Sequence, residues 1–374
     1  MSGWSTLLPI IKTSLFIGGV FIVSFLLLGC RFYELDMTDS GMWGHEAQYV
    51  LSGDAREFNF LAAYGHPGGP VIEGAIALHA LTGKPYDQAV LLIVTLIMAA
   101  MISCACYFAR ILRPNSIWWV AVLGVLSLNW QYDALTPPSA VAAVAVPLIC
   151  LFTLYVHERR EATVGQLVLW GGLVGMLVAT RTDIGAVSSI VFGTLLLLSL
   201  GWRKMWIPVL TALSSFLIFD PFMWFMPVQH TKDLVFKMTY HYADFAPTPL
   251  SLPLVLTFSS ISFISILLIG GTYIPRSPVQ KCMSLRFFGV LLLLTIFLYG
   301  VFLSSHYQAI RYFLPLTLTW ELFLPLVLFG YTAATRLYST RLAQSCLVAA
   351  LYGYNLFFLC QLLWIANSFH LLHS

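Results

Sequence analysis

Apolar runs long enough to cross a bilayer alternate with short polar turns along this chain, and one long polar interval breaks the rhythm before residue 227. The first run, Thr13 to Leu28, follows Lys12 and is closed by Cys30 and Arg31. Next comes the polar interval, Arg31 to Asp87. Later runs fall near 88–109, 115–130, 138–156, 165–180, 184–200, 205–226, 251–274, 287–303, 311–331 and 343–366. A spanning helix needs about 17 to 25 apolar residues, so with the first run the pattern predicts an all-α, polytopic transmembrane bundle of about eleven spans. The short runs 115–130 and 165–180 are candidates for extension by their flanks into longer, tilted helices. Leu27-Leu28-Gly29-Cys30 bears a faint likeness to a lipoprotein cleavage box, and a signal peptide would show a similar run. An uncleaved first helix is the preferred reading, because the following segments need it to orient them.

Inside the polar interval, Met42, Trp43, Ala47, Val50 and Leu51 describe a short amphipathic helix lying on the membrane surface, with Asp39 or Ser40 as its N-cap. His66 to Thr82 is also apolar, but it is too short, and too rich in Gly and Pro at its start, to cross comfortably. It reads as an interfacial or re-entrant helix. Residues 1–374 form one transmembrane domain on this reading, with 31–87 as its first non-cytoplasmic loop and no soluble domain.

Composition narrows the class. Hydrophobic residues make up 59% of the chain and charged residues 9%, with a mean hydropathy of +0.85. Soluble domains carry about 25% charge, so a soluble globular protein is excluded. A net charge of +3 spread over short loops gives no nucleic-acid surface. The cysteines lie mostly inside apolar runs without CxxC spacing, which argues against a disulfide framework and a thiolate metal site.

Lys and Arg set the orientation. With a cytoplasmic N-terminus and a non-spanning 66–82, the cytoplasmic loops receive Arg110 and Arg113, Arg159 and Arg160, Arg203 and Lys204, Arg276, Lys281 and Arg286, then Arg336 and Arg341. Treating 66–82 as a span would send these groups outside. The interval Arg31 to Asp87 alone holds eight of the sixteen acidic residues: Glu34, Asp36, Asp39, Glu46, Asp54, Glu57, Glu73 and Asp87. Since the positive-inside rule says little about acids, their loading on the outer face points to a polar site there.

Asp39 is the leading candidate within it. A carboxylate at a helix start is held ionised by the helix dipole, and can act as a base beside a lipid headgroup. The competing reading is a plain N-cap.

Asp39-Ser40-Gly41-Met42-Trp43, then Ala47 and Gly53-Asp54, then Tyr64-Gly65-His66-Pro67-Gly68-Gly69-Pro70 resemble the first luminal loop of GT-C glycosyltransferases. The likeness is to the branch that contains protein O-mannosyltransferases and lipid A aminoarabinose transferases. Gly171-Gly172-Leu173 through Thr180-Arg181 is similar to a Gly-containing helix that ends in Thr-Lys in that branch. His306 to Pro315, with Arg311-Tyr312-Phe313-Leu314-Pro315, resembles its Arg-Tyr-x-x-Pro segment. Ser40 stands where the branch often has a second carboxylate, and His66-Pro67-Gly68 replaces His-Pro-Pro.

The resemblance implies an inverting transfer of a sugar from a polyprenyl-phosphate donor to a hydroxyl acceptor, on the outer face of what would be a bacterial plasma membrane. Asp39 would take the acceptor proton. Arg311 and Arg181 would meet the donor phosphate, because a guanidinium binds phosphate bidentately and stays charged near lipid. Asp36, Trp43, Glu46, Tyr64, His66, His306 and Tyr312 would line the substrate path, with Tyr240 and Tyr242 as further aromatics. Interfacial belts are rich in Trp and Tyr in any case. No cofactor is implied, and a divalent cation is not indicated: His66, His241 and His306 lack ligand spacing, so a hydrogen-bonding role is favoured for them. Glu321, in mid-span, is a functional candidate or a protonated bundle residue. Asp133 and Asp220 are expected to face the same vestibule.

Two rival classes stand beside the transferase. A transporter or flippase of a small solute or lipid-linked sugar would explain the bundle and Glu321, but it predicts repeated halves and broken helices, and no internal repeat is visible. A non-catalytic assembly partner would leave glycan synthesis unchanged on replacing Asp39.

Overall fold

A helix that is apolar on every side is buried in a bundle or faces lipid, and two helices of spanning length here, over residues 86–112 and 140–159, are mostly buried. In the computed structural model, which describes residues 3–34, 40–52, 68–112, 118–128, 137–159, 161–225 and 227–232 together with Thr319, these two form the centre. The elements among the described residues are all helical, without strands. In order they form α1 (Gly3–Glu34), α2 (Ser40–Ser52), α3 (Pro70–Thr82), α4 (Tyr86–Leu112), α5 (Trp118–Leu128), α6 (Pro137–Arg159), α7 (Val164–Thr180), α8 (Thr182–Leu200), a 3-10 turn (Trp202–Lys204), α9 (Trp206–Phe219) and the short α10 (Pro221–Phe225).

The stretch Ala140–Arg159 of α6 is buried along its whole spanning window. Ala140, Ala142, Ala143 and Ala145 are small enough for neighbouring helices to approach closely. α4 packs against α1, α2, α3, α5 and α6. Its hydroxyls turn back on their own helix: Thr95 Oγ1 donates to the Leu91 carbonyl at 2.8 Å and Ser103 Oγ to that of Ala99 at 2.7 Å. These two hydroxyls thereby keep a hydrogen bond in an apolar interior. α1 is the opposite case, with Leu15, Ile22 and Leu26 exposed on a helix of spanning length. Lipid is the solvent such a surface requires.

Three described helices, Leu8–Gly29, Tyr86–Leu112 and Ala140–Arg159, are long and apolar enough to cross a membrane, and a fourth candidate arises if a bent pair counts as one span. The chain is a multi-pass integral membrane protein by this measure. That pair is Ile184–Leu200 with Trp202–Phe219, bent by 118°. Where two independent spans were expected at 184–200 and 205–226, the structure has a broken or re-entrant unit turning at Gly201 (φ 78°). The 165–180 run is not extended by its flanks. Thr163 and Gln166 close its start with a capping box of 3.3 and 2.9 Å hydrogen bonds, and Arg181 leaves helical geometry at its end. Apart from Thr319, every predicted run beyond residue 232 lies outside the described residues.

One end of the bundle is fixed by cations on aromatics. The Arg110 guanidinium lies 4.4 Å from the Phe16 ring centroid, and Phe16 meets Trp119 edge-on at 5.1 Å. Arg159 covers Tyr155 at 4.8 Å, and His157 Nδ1 pairs with Ser199 Oγ at 2.8 Å. Exposed Arg203 and Lys204 belong to this end too, since they follow α8. The opposite end carries α2, α3 and the first residues of α4.

Candidate functional site

Glycine permits the approaches that build the polar end. Gly44 of α2 sits on the backbone of Tyr86 and Asp87, where an added Cβ would lie 2.9 Å from the Asp87 nitrogen. This contact draws α2 onto α4, and Trp43 (2% exposed) and Ala47 (0%) are buried in consequence. The amphipathic helix exists as expected, but the centre of its apolar stripe faces the bundle and not the membrane surface. Its start at Ser40 agrees with the expected N-terminus, while Asp39 itself lies outside the described residues.

Two successive glycines with positive φ, Gly68 (78°) and Gly69 (45°), then turn the chain into α3. A side chain at Gly68 would collide with the Trp43 ring, and one at Gly69 would lie 3.1 Å from the Ala179 carbonyl carbon and the Thr180 nitrogen. This corner therefore runs between α2 and the end of α7. α3 starts with Pro70 and stops at Gly83 in left-handed geometry. Its 13 residues reach about 20 Å, short of the roughly 30 Å of a hydrocarbon core.

Arg181 marks the break between α7 and α8. Its backbone is extended (φ −148°, ψ 94°), its N–H donates to the Leu177 carbonyl at 2.8 Å, and its side chain is 1% exposed. The turn is tight because Gly185 packs onto Val178, where a Cβ would come within 2.5 Å of the Val178 Cα. α7 and α9 lie side by side in parallel: Gly171 rests on Pro208 and Thr211, and Gly175 on Ala212 and Ser215. Parallel packing brings Asp220, the C-cap of α9, to the end where α7 reaches Arg181.

Asp220 is fully buried and engaged at both oxygens. Oδ1 accepts from the Phe222 backbone N–H at 3.2 Å, and Oδ2 lies 2.9 Å from Nε2 of the equally buried His230. Glu73, in the first turn of α3, is near enough to feel this carboxylate. Burial, and after it the Asp220 charge, push the Glu73 carboxyl up from 4.5 to about 7. The favourable start of α3 does not offset them.

Of the residues nominated from sequence, Trp43, Glu46 and Arg181 are described, and all three are buried at this polar end. Trp43 touches the Gly68 corner, and Gly69 touches Thr180, the residue before Arg181. Asp36, Asp39, Tyr64, His66, His306, Arg311 and Tyr312 lie outside the described residues, as do Asp133, Tyr240, His241, Tyr242 and Glu321. Sequence reasoning put Asp220 in this vestibule without a partner, and it missed both Glu73 and His230. The available signal was Asp220-Pro221 at a helix end with a histidine ten positions on. Among the described residues, no three His, Cys, Asp or Glu side chains are grouped to hold a metal ion.

Comparison with protein-family models, with curated proteins and with solved structures found no match for this chain.

Proposed function

We propose that the chain is an inverting glycosyltransferase that moves a sugar from a polyprenyl-phosphate donor to a hydroxyl acceptor at the outer face of the membrane. The observation that carries this reading is a convergence. Three separated segments with the transferase-like pattern, at Trp43, at Gly68-Gly69 after His66-Pro67, and at Thr180-Arg181, meet at one end of the bundle. Chance likeness in scattered motifs gives no reason for them to touch.

In this scheme Asp39 accepts the proton of the acceptor hydroxyl as its oxygen bonds to the anomeric carbon. The bond from that carbon to the phosphate oxygen breaks, with inversion, and the lipid phosphate departs with its charge. Arg181 or Arg311 meets that charge; a guanidinium tolerates burial better than an ammonium because it is more weakly hydrated. Deleting the gene should remove an envelope glycan and accumulate a polyprenyl-linked sugar. Restoring the chain as Asp39→Asn should leave the defect in place, whereas Asp36→Asn should largely correct it. A fully corrected Asp39→Asn strain refutes the assigned base.

A second reading, transport of a small solute or lipid-linked sugar, has its own support in the bent α8–α9 unit and in a half-buried carboxyl that titrates near neutrality. Proton-driven uptake into vesicles by the Asp39→Asn protein, with an unchanged glycan profile on deletion, would favour it.

A further inference from the structure

The Asp220–His230 pair leaves one nitrogen unused. An ionised carboxylate only accepts hydrogen bonds, so Nε2 donates to Oδ2 and a neutral imidazole presents Nδ1 as a lone pair. The His230 side chain is wholly buried, and its Nδ1 makes no hydrogen bond among the described residues. Oε1 of Glu73, which senses the Asp220 charge, is likewise a buried atom without a hydrogen-bond partner. The end of the bundle that holds Asp220 thus carries two unsatisfied polar atoms. Folded proteins seldom keep such atoms without a ligand, a water or a function to account for them.

We propose that Glu73 and His230, at the end of the bundle that holds Asp220, form a hydroxyl-binding subsite for a sugar ring, with Nδ1 accepting from one hydroxyl and the Glu73 carboxyl donating to an oxygen of the same ring. Neutral, hydroxyl-rich chemistry suits the site better than a cation. Glu73, Asp220 and His230 are not grouped closely enough to hold one metal ion, and an ammonium would need the ionised Glu73 that burial disfavours. Ionisable groups toward this end of the elements packed against α3 include His45 and Glu46 on α2, Tyr86 and Asp87 on α4, and Arg181 at the end of α7. Of the charges around it, that of Asp220 is the one that raises Glu73. His230 faces Asp220 and the Phe222 ring, 5.5 Å away. The subsite deepens the transferase reading by naming where the donor sugar is held, and rests on it for the choice of a lipid-linked sugar.

The test uses the full chain in lipid nanodiscs, with farnesyl phosphate and its glucose, mannose, galactose and arabinose esters as probes. At pH 7, at least one sugar ester should bind more tightly than farnesyl phosphate. His230→Gln keeps a donor for Asp220 but removes the Nδ1 acceptor, and should lose that sugar increment tenfold or more with farnesyl phosphate binding unchanged. Glu73→Met, a milder change if His230→Gln unfolds, should do the same. The wild-type increment should weaken at pH 9, and Glu73→Gln should make it independent of pH. No sugar increment in the wild type, or an increment retained in either His230→Gln or Glu73→Met, overturns the proposal and leaves ordered water as the occupant. Loss of the increment in these variants beside full transfer by Asp39→Asn would sink the assigned base and leave the subsite standing.

Discussion

Glu73 opens α3 four positions after a glycine corner, at a helix start that should favour its charged form, yet burial and Asp220 hold it protonated to about pH 7. The folded state therefore binds this proton more tightly than the unfolded chain does. The resulting stability is complete below the ordinary carboxylate value of 4.5 and is lost as the pH rises through about 7. Glu73→Gln keeps the shape without the titration. Its thermal midpoint in detergent should match the wild type at pH 4 and exceed it at pH 8.5; a variant that is less stable at pH 8.5 would contradict the burial argument. His230 shows the limit of sequence reading at this scale. Its partner is fixed by where α9 ends in space, and a histidine outside any motif carries no mark of the buried carboxylate that holds it.

Between α7 and α9 the contact is backbone against backbone, and the glycines on one face of α7 make it so. Gly175 faces the Ala212 carbonyl with no room for a Cβ, whereas a Cβ at Gly172 would find only Ser215 Oγ, at 3.6 Å. Gly175→Val should destabilise the protein by about 1–3 kcal/mol through overpacking, and Gly172→Ala should stay within about 0.5 kcal/mol of the wild type. Thermal or denaturant unfolding in detergent compares the two, and equal effects would argue against the seam. Element existence was the legible part of this fold. The runs that became α1, α4, α6 and α7 stand out in the apolar pattern, and α2 in its stripe around Trp43. What periodicity could not convey is which neighbour each face meets. Trp43 was therefore assigned to a membrane surface when Gly44 had already committed its helix to α4, and the 118° turn at Gly201 passed for an ordinary loop between spans. Of the residues nominated from sequence, Trp43 and Arg181 lie in the motif-like segments and Glu46 in the acid-rich interval, and all three are buried at the polar end. Glu73 and His230 needed the fold.

At the scale of the molecule, polarity among the described residues is divided between the ends. Arg110, Arg159, Arg203 and Lys204 gather at one, and Glu46, Glu73, Arg181, Asp220 and His230 at the other. The positive-inside rule predicts that the first end is cytoplasmic. Single cysteines at the exposed positions Lys84 and Arg203 should react with an impermeant maleimide from opposite sides of the membrane, and labelling of both from one side would overturn that orientation. The parallel seam also has a consequence for biogenesis. α7 leaves the ribosome before the helix that fills its groove, and α8 must be threaded between the two. At about 5–20 residues per second, the groove stays open for a time on the order of seconds. During that interval the nascent chain displays bare peptide backbone to lipid, which makes it a natural target for membrane chaperones and for the proteases that clear orphaned helices.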